Sequence, residues 1–314
     1  MANYIINRLL QLIPVLVGVS LITFFILNLA PGDPAELMVR ASGMEPTPEA
    51  VASMREELGL NYPLHVRYCL WVWHALHGDL GVSYHSGLPV ARELALRFPA
   101  TLQLALASSL FMILLALPAG LLSAFYNRSY IDHLSRFAAL LGASMPGYWL
   151  GLILIYIFGV RLGLLPVMGS GTIKHLLLPA MTLGFGLAAV YARLLRASLL
   201  EVMGQDYIKA ARARGLRERR IMLAYAFKNA LLPVVTAFGM SLGHLLGGMV
   251  VVETIFSWPG VGRLSVEAIF ARDYPVLQGY VLVMALVFVV VNLLVDLSYV
   301  LLNPRLRIGG GEKR

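Results

Sequence analysis

The sequence predicts an all-α polytopic membrane protein with six transmembrane helices and both termini in the cytoplasm. Three observations carry that expectation. Hydrophobic residues make up 59% of the 314, charged residues 13%, and mean hydropathy is +0.76. A soluble domain carries about a quarter charged residues, so this chain lacks the polar surface to meet water on every side. Second, six runs without strong charge, each long enough to cross a bilayer, lie at 9–30, 101–126, 137–160, 176–192, 230–252 and 277–302. Third, the tails and the loops at 128–136 and 193–228 hold 16 of the 25 Lys and Arg residues. The positive-inside rule assigns that side to the cytoplasm.

The first run, Leu9 to Ala30, is uncharged over 22 residues, longer than a secretory h-region, and Pro31 stands where a cleavage site wants small residues. A retained helix is expected. Residues 31–100 then form a long external segment with five Arg against eight Asp or Glu. Within it Pro48 to Leu60 reads as a short helix, with Thr47 as its N-cap and Gly59 near its end. Trp71 and Trp73 are candidate interfacial anchors. The segment is either a docking surface for a partner or a lid packed on its own helices; both readings stay open. The fourth run stops at Arg193, but Leu194-Leu195 and Leu199-Leu200 can extend its helix. The expected segmentation is residues 1–100, a five-helix core over 101–302 with the loop 193–228, and a tail over 303–314.

Nothing in the chain points to catalysis. None of the four lysines sits in a phosphate-binding G-x-x-x-x-G-K-[ST] loop, and there is no H-E-x-x-H. Cys69 is alone, which excludes an intrachain disulfide or a cysteine metal cluster. The net charge of +8 belongs to residues beside apolar spans, so it reports orientation and not nucleic-acid binding.

The loop from Arg193 to Lys228 is distinctive, with nine Lys or Arg against Glu201, Asp206 and Glu218. Gln205 to Arg214 can form two to three helical turns, and Gly215 supplies a C′ stop. Tyr207, Ala210, Ala211 and Arg214 recur at helical spacing, giving one face with a small-residue centre that suits a groove on a soluble protein. The plainer alternative is a solvated basic loop that only sets topology.

In the fifth run Gly239, Gly243 and Gly247 form a ridge for close helix approach, with Met240, His244 and Gly248 on the adjacent stripe. An imidazole at that depth needs water or a polar partner, so His244 either faces a lumen, where it can touch a chelated metal, or bonds a neighbouring helix. Glu253, at the external end of that run, either attracts a cation or fixes the following loop. Asp296 reads as a structural ion-pair or hydrogen-bonding residue.

Ala210-Ala211-Arg212-Ala213-Arg214-Gly215, followed by Asn229-Ala230-Leu231-Leu232-Pro233, resembles the coupling loop of bacterial ABC-importer permeases of the peptide, opine and nickel group. Pro31-Gly32-Asp33-Pro34, Phe98-Pro99-Ala100-Thr101, Ser144-Met145-Pro146, Ala192 to Arg196, Val252 to Arg263 and Arg272-Asp273-Tyr274-Pro275 extend the resemblance nearly end to end. The resemblance implies a type I ABC-importer permease fold in the bacterial inner membrane. It also implies a second homologous permease, two cytoplasmic ATPase subunits and an extracytoplasmic substrate-binding protein as partners. ATP and magnesium would be used by those ATPases, with no cofactor bound by this chain. Gln205, Asp206, Tyr207, Ala210, Ala211, Arg212, Arg214 and Gly215 would seat against an ATPase, and Met240, His244, Gly248 and Glu253 would line the path. The external run Tyr62 to Leu76 looks closest to nickel-import permeases, so nickel, as a small chelate, is the expected cargo, with His244 as metal contact. A di- or oligopeptide or glutathione importer is the alternative, and a passive channel or a scaffold would lack an ATPase partner.

Overall fold

Apolar runs of this length can satisfy their backbone in hydrocarbon by coiling into helix, and the chain does so. The computed structural model describes the backbone of residues 2–29, 32–41 and 43–302; side chains at 1–9, 11–12, 30–31, 41–42, 240, 242–244, 246–248 and 296–314 are outside the description. Among the described residues there is no strand, only an isolated bridge between Val82 and Pro89. Among the described residues four helices are long and apolar enough to cross a membrane, or up to six when each of two bent pairs counts as one span.

Two compact units emerge, one of residues 1–101 with 259–290, the other of 102–258 with 291–314. The first contains α1 (Ala2–Leu29), α2 (Pro34–Ala41), α3 (Pro48–Glu57) and α4 (Leu64–Leu76). It also holds the first turns of α5 (Val90–Phe125). The expected N-cap is present: the Thr47 hydroxyl accepts the Ala50 N–H at 3.3 Å. Neither α3 nor α4 has a buried residue. Downstream the segment packs on its own chain, where Leu80, Val90 and Leu94 share a core with residues 261–277. Trp73 is exposed, as an interfacial anchor needs, but Trp71 is not an anchor of that kind: its indole N–H is buried.

The second unit takes the rest of α5, α6 (Tyr130–Ser144), α7 (Gly147–Leu154), a π-helical stretch Ile155–Arg161 and α8 (Ile173–Met203). The loop that follows carries α9 (Asp206–Ala213), the single turn α10 (Glu218–Arg220) and a second π stretch, Ile221–Ala226. This stretch leads into α11 (Phe227–Ile255). The remaining helices, α12 (Val261–Ala271) and α13 (Tyr274–Leu302) as far as Val290, belong to the first unit. The apolar run expected over 137–160 is bent: α6 and α7 meet at 106°. Pro146 is the cause. The residue before proline is driven out of the helical region, and Met145 is extended at φ −81°, ψ 128°. The fourth helix runs on past Arg193 to Met203, as the leucine pairs allow.

Helix α8 is central to this unit, with Leu178, Tyr191, Leu195 and Leu199 all buried. Its approach to α5 is close enough that a Cβ on Gly120 would lie 2.8 Å from the Ala192 carbonyl oxygen. One on Gly184 would lie 2.7 Å from that of Ser108. Near Phe125, the end of α5, the start of α6 and the body of α8 are tied by one carboxylate. Asp132, 1% exposed, takes a bidentate pair from Arg196, Nε to Oδ1 at 2.7 Å and a terminal nitrogen to Oδ2 at 2.8 Å. Ser123 donates to Oδ1 at 2.6 Å and the Arg128 N–H to Oδ2 at 2.9 Å.

Removing one member of such a pair strands the other in a buried site, at a cost of about 3–5 kcal/mol. Arg196→Ala should therefore sharply lower the temperature at which the detergent-solubilised chain loses its monodisperse form. The double variant Asp132→Leu/Arg196→Met should recover most of the loss. An unchanged midpoint for Arg196→Ala would show that the pair does not hold these helices.

Candidate functional site

An eight-residue helix is too short to be stable alone in water, so α9 needs anchors. It has two. Ile208 is 0% exposed and Ala211 5%, three residues apart on one face. Both belong to the apolar cluster that contains Leu195 and Leu199 of α8, Ile221 and Met222 of the π stretch, and Ala230 and Val234 of α11. Ala211 was expected on the outward face; the structure corrects this. The spacing of Ile208 and Ala211 inside a basic segment was the signal for an inner face, since a short polar helix needs an apolar stripe to dock.

The end of α9 is closed by its backbone. Gly215 has φ +76°, its N–H donates to the Arg212 carbonyl at 2.8 Å, and the Leu216 N–H reaches the Ala211 carbonyl at 3.3 Å. That pair of bonds is a Schellman motif. Nothing lies within 4 Å of a Cβ built on Gly215, so glycine is required by the left-handed conformation and not by lack of space. Arg212 bridges the turn to Glu218, at 2.7 and 3.3 Å. The bond to Glu218 raises the guanidinium above its ordinary value.

The outward side carries Asp206, Tyr207, Lys209, Ala210, Arg212 and Arg214, all exposed. Asp206 stands in the first turn, where a carboxylate suits the helix dipole, and Lys209 pairs with it at 2.8 Å. The Tyr207 ring is steadied by Asn229 of α11, whose amide donates to the phenol oxygen at 2.9 Å. Gln205 precedes the helix as its cap residue, with no side-chain capping bond. Sequence reasoning noted Asn229 within a motif but gave it no contact. It passed over Asp132 altogether.

Of the candidates in the fifth run, the side chains of Met240, His244 and Gly248 lie outside the described residues, as does that of Asp296. Glu253 is 0% exposed. Its carbonyl accepts the Trp258 N–H at 2.8 Å, and Phe256 accepts the Gly169 N–H at 2.9 Å. Burial at the base of this turn favours the loop-fixing alternative over a cation-attracting one.

Residues 116–308 match the family described as binding-protein-dependent transport system inner membrane component, and residues 1–105 match the N-terminal model of such membrane components. The chain belongs to this family. The glutathione transport system permease protein GsiC of Salmonella paratyphi A is 42% identical over 307 residues, covering 98% of this chain and 99% of the relative. GsiC of Escherichia coli K12 gives the same figures, 42% identity with 98% and 99% coverage. Among solved structures, an inward-facing MetNI methionine ABC transporter aligns at a TM-score of 0.58 with 20% identity, over 67% of this chain and 96% of that one. An amino acid ABC transporter aligns at 0.52 with 18% identity, over 68% and 94%. These two likenesses bear on the fold alone, and it is the type I importer permease fold.

The chain is thus a multi-pass inner-membrane permease subunit of an ABC transport system; it is not itself an enzyme. The expectation of nickel is overturned, because the relatives matched over nearly their whole length are named for glutathione transport. The run Tyr62 to Leu76 that prompted it falls mostly on α4, a helix with no buried residue.

Replacing Ile208 with Ala should loosen α9, at about 2–5 kcal/mol of lost packing. Trypsin should then cut the purified chain severalfold faster at Lys209, Arg212 and Arg214. Unchanged cleavage would mean that the helix is held by something else.

Proposed function

We propose that this chain is one of two pore-forming permeases in an ATP-driven importer of glutathione or short peptides. The carrying observation is the 42% identity, over nearly the full length of both chains, to permeases named for glutathione transport. Peptide and glutathione cargo share backbone amides and a terminal carboxylate, so one pathway chemistry serves both.

In this reading two cytoplasmic ATPases each seat one α9, and an extracytoplasmic binding protein delivers cargo. The outward side of α9, with Tyr207 and Ala210 between charged neighbours, supports the docking role. Its inner side, Ile208 and Ala211, belongs to the same cluster as α8 and α11, so motion imposed on α9 is passed to both. Met240, His244 and Gly248 remain the proposed path residues. Glu253 supports the shape of the turn at the end of α11. ATP and magnesium act on the ATPases, where hydrolysis drives alternating access; this chain supplies the lever and the path.

Two measurements test this. In proteoliposomes holding the complete complex and its binding protein, labelled glutathione or a labelled dipeptide should accumulate only with ATP inside. Accumulation of neither, or equal flux without ATP, would overturn the reading. Gly215→Val should insert into the membrane normally yet lose most ATP-driven uptake. A left-handed β-branched residue is disfavoured there by about 1–2 kcal/mol, and Asn tolerates that region better. Gly215→Asn should accordingly keep more uptake than Gly215→Val; the reverse order would count against the Schellman turn as part of the lever.

A further inference from the structure

The first unit contains two cavities, of about 440 and 420 Å³, that share Phe24, Leu60, Arg67, Tyr84 and Gln278 in their walls. Each is within the size range of small-molecule sites. Their linings differ. The first is mainly polar and includes Asn28, the ion pair of Asp33 with Arg55 and Tyr274. The second adds an apolar side with Leu70, Trp71 and Val82.

Buried polar atoms are nearly always hydrogen-bonded, so exceptions call for an explanation. Among the described residues two buried side-chain atoms lack a partner, the Trp71 indole N–H and the Tyr274 hydroxyl. Tyr274 contributes to the wall of the first cavity and Trp71 to that of the second. Both are hydrogen-bond donors. Arg67, common to both walls, is half-buried and makes no ion pair with a carboxylate among the described residues. Burial lowers its pKa while the neighbouring Tyr84 raises it, and a guanidinium keeps its charge regardless. Burial, and then the Asp273 carboxylate, push the Tyr84 phenol up to about 12, so at neutral pH it keeps its proton and can donate as well. The carboxylates in the two walls are Asp33, already paired, and Glu57, exposed.

We infer that these adjoining cavities form a binding site for a small peptide-like carboxylate, with Arg67 as the charge partner and Tyr84, Tyr274 and Trp71 as neutral donors. An excess of donors around one unpaired cation calls for an acceptor-rich anion. The apolar side with Trp71 fits the remainder of such a molecule, and Gln278, with both a donor and an acceptor, suits a peptide group. The inference does not require that this ligand be transported.

The test is calorimetric titration of the full-length chain in lipid nanodiscs with N-acetylglycylglycine, using its C-terminal amide as the uncharged control. The acid should bind saturably and the amide at least about tenfold more weakly, the ratio expected for a charged hydrogen bond. Arg67→Gln should weaken the acid by a similar factor. Tyr274→Phe should weaken it about two- to tenfold, while the thermal midpoint of the unliganded chain stays level or rises because a stranded hydroxyl has been removed. A merely structural hydroxyl gives the opposite pattern, a lower midpoint with unchanged affinity. The inference is overturned by that pattern, by absence of binding, or by equal binding of acid and amide. Transport is not part of the readout, so a failed uptake assay leaves this result to stand or fall by itself.

Discussion

The second unit is organised around a buried charge that three helices must satisfy together. Asp132 has two oxygens and receives bonds from Ser123 of α5, the Arg128 backbone, and two guanidinium nitrogens of Arg196 on α8. Asn127 takes a further bond from the same guanidinium at 3.0 Å. A carboxylate at 1% exposure tolerates few arrangements. The end of α5, the start of α6 and the helix that leads to α9 are therefore set by one cluster. Backbone strain is accepted to complete it: Arg128 sits at φ +64°, which points its N–H at Asp132.

From that fixed point the chain runs seven residues to Met203, turns at Gly204 and lays α9 back on the same helix bundle. The contacts are apolar and continuous, from Leu195 and Leu199 through Ile208 and Ala211 to Ile221, Ala226 and Val234. Close-packed side chains of this kind transmit displacement because they have no slack. The turn after α9 adds a second restraint, with the Schellman bonds inside and the Arg212–Glu218 bridge outside. Helix α9 therefore has one face bound to its own chain, through Ile208 and Ala211, and one exposed face.

Much of this could be read from residue types. The apolar runs announced the helices, Thr47 and Pro48 announced α3, and Gly215 announced the end of α9, since each is a local effect of the residues themselves. Other features depend on partners distant in sequence. Asp132 and Arg196 are 64 residues apart, and neither shows a pattern that names the other. Pro146 was in view within Ser144-Met145-Pro146, yet composition alone allowed a straight span, because hydropathy counts apolar residues and is blind to the direction of the backbone. Ala211 was assigned to the wrong face because a small residue serves equally as a flat contact surface and as a packing anchor; Ile208 decides between them. Nor does anything in residues 259–290 indicate that they share a core with Leu80, Val90 and Leu94.

The cargo posed a different problem. The resemblance over Tyr62 to Leu76 and one histidine in a glycine-rich helix suggested a metal, and methionine sulfur is a soft donor that suits one. Methionine is a gap-filler in packed helices, however, and Met112, Met222 and Met249 are all buried here. Soft donors spent on packing carry no information about cargo. Groups left unsatisfied by the fold say instead what the chain can bind. In the described chain these are donors, the Tyr274 hydroxyl and the Trp71 indole, in walls shared with an unpaired guanidinium. Donors of that kind pair with carboxylate and carbonyl oxygens and repel a cation. The chemistry that the first unit leaves open is thus that of an acceptor-rich anion such as a carboxylate.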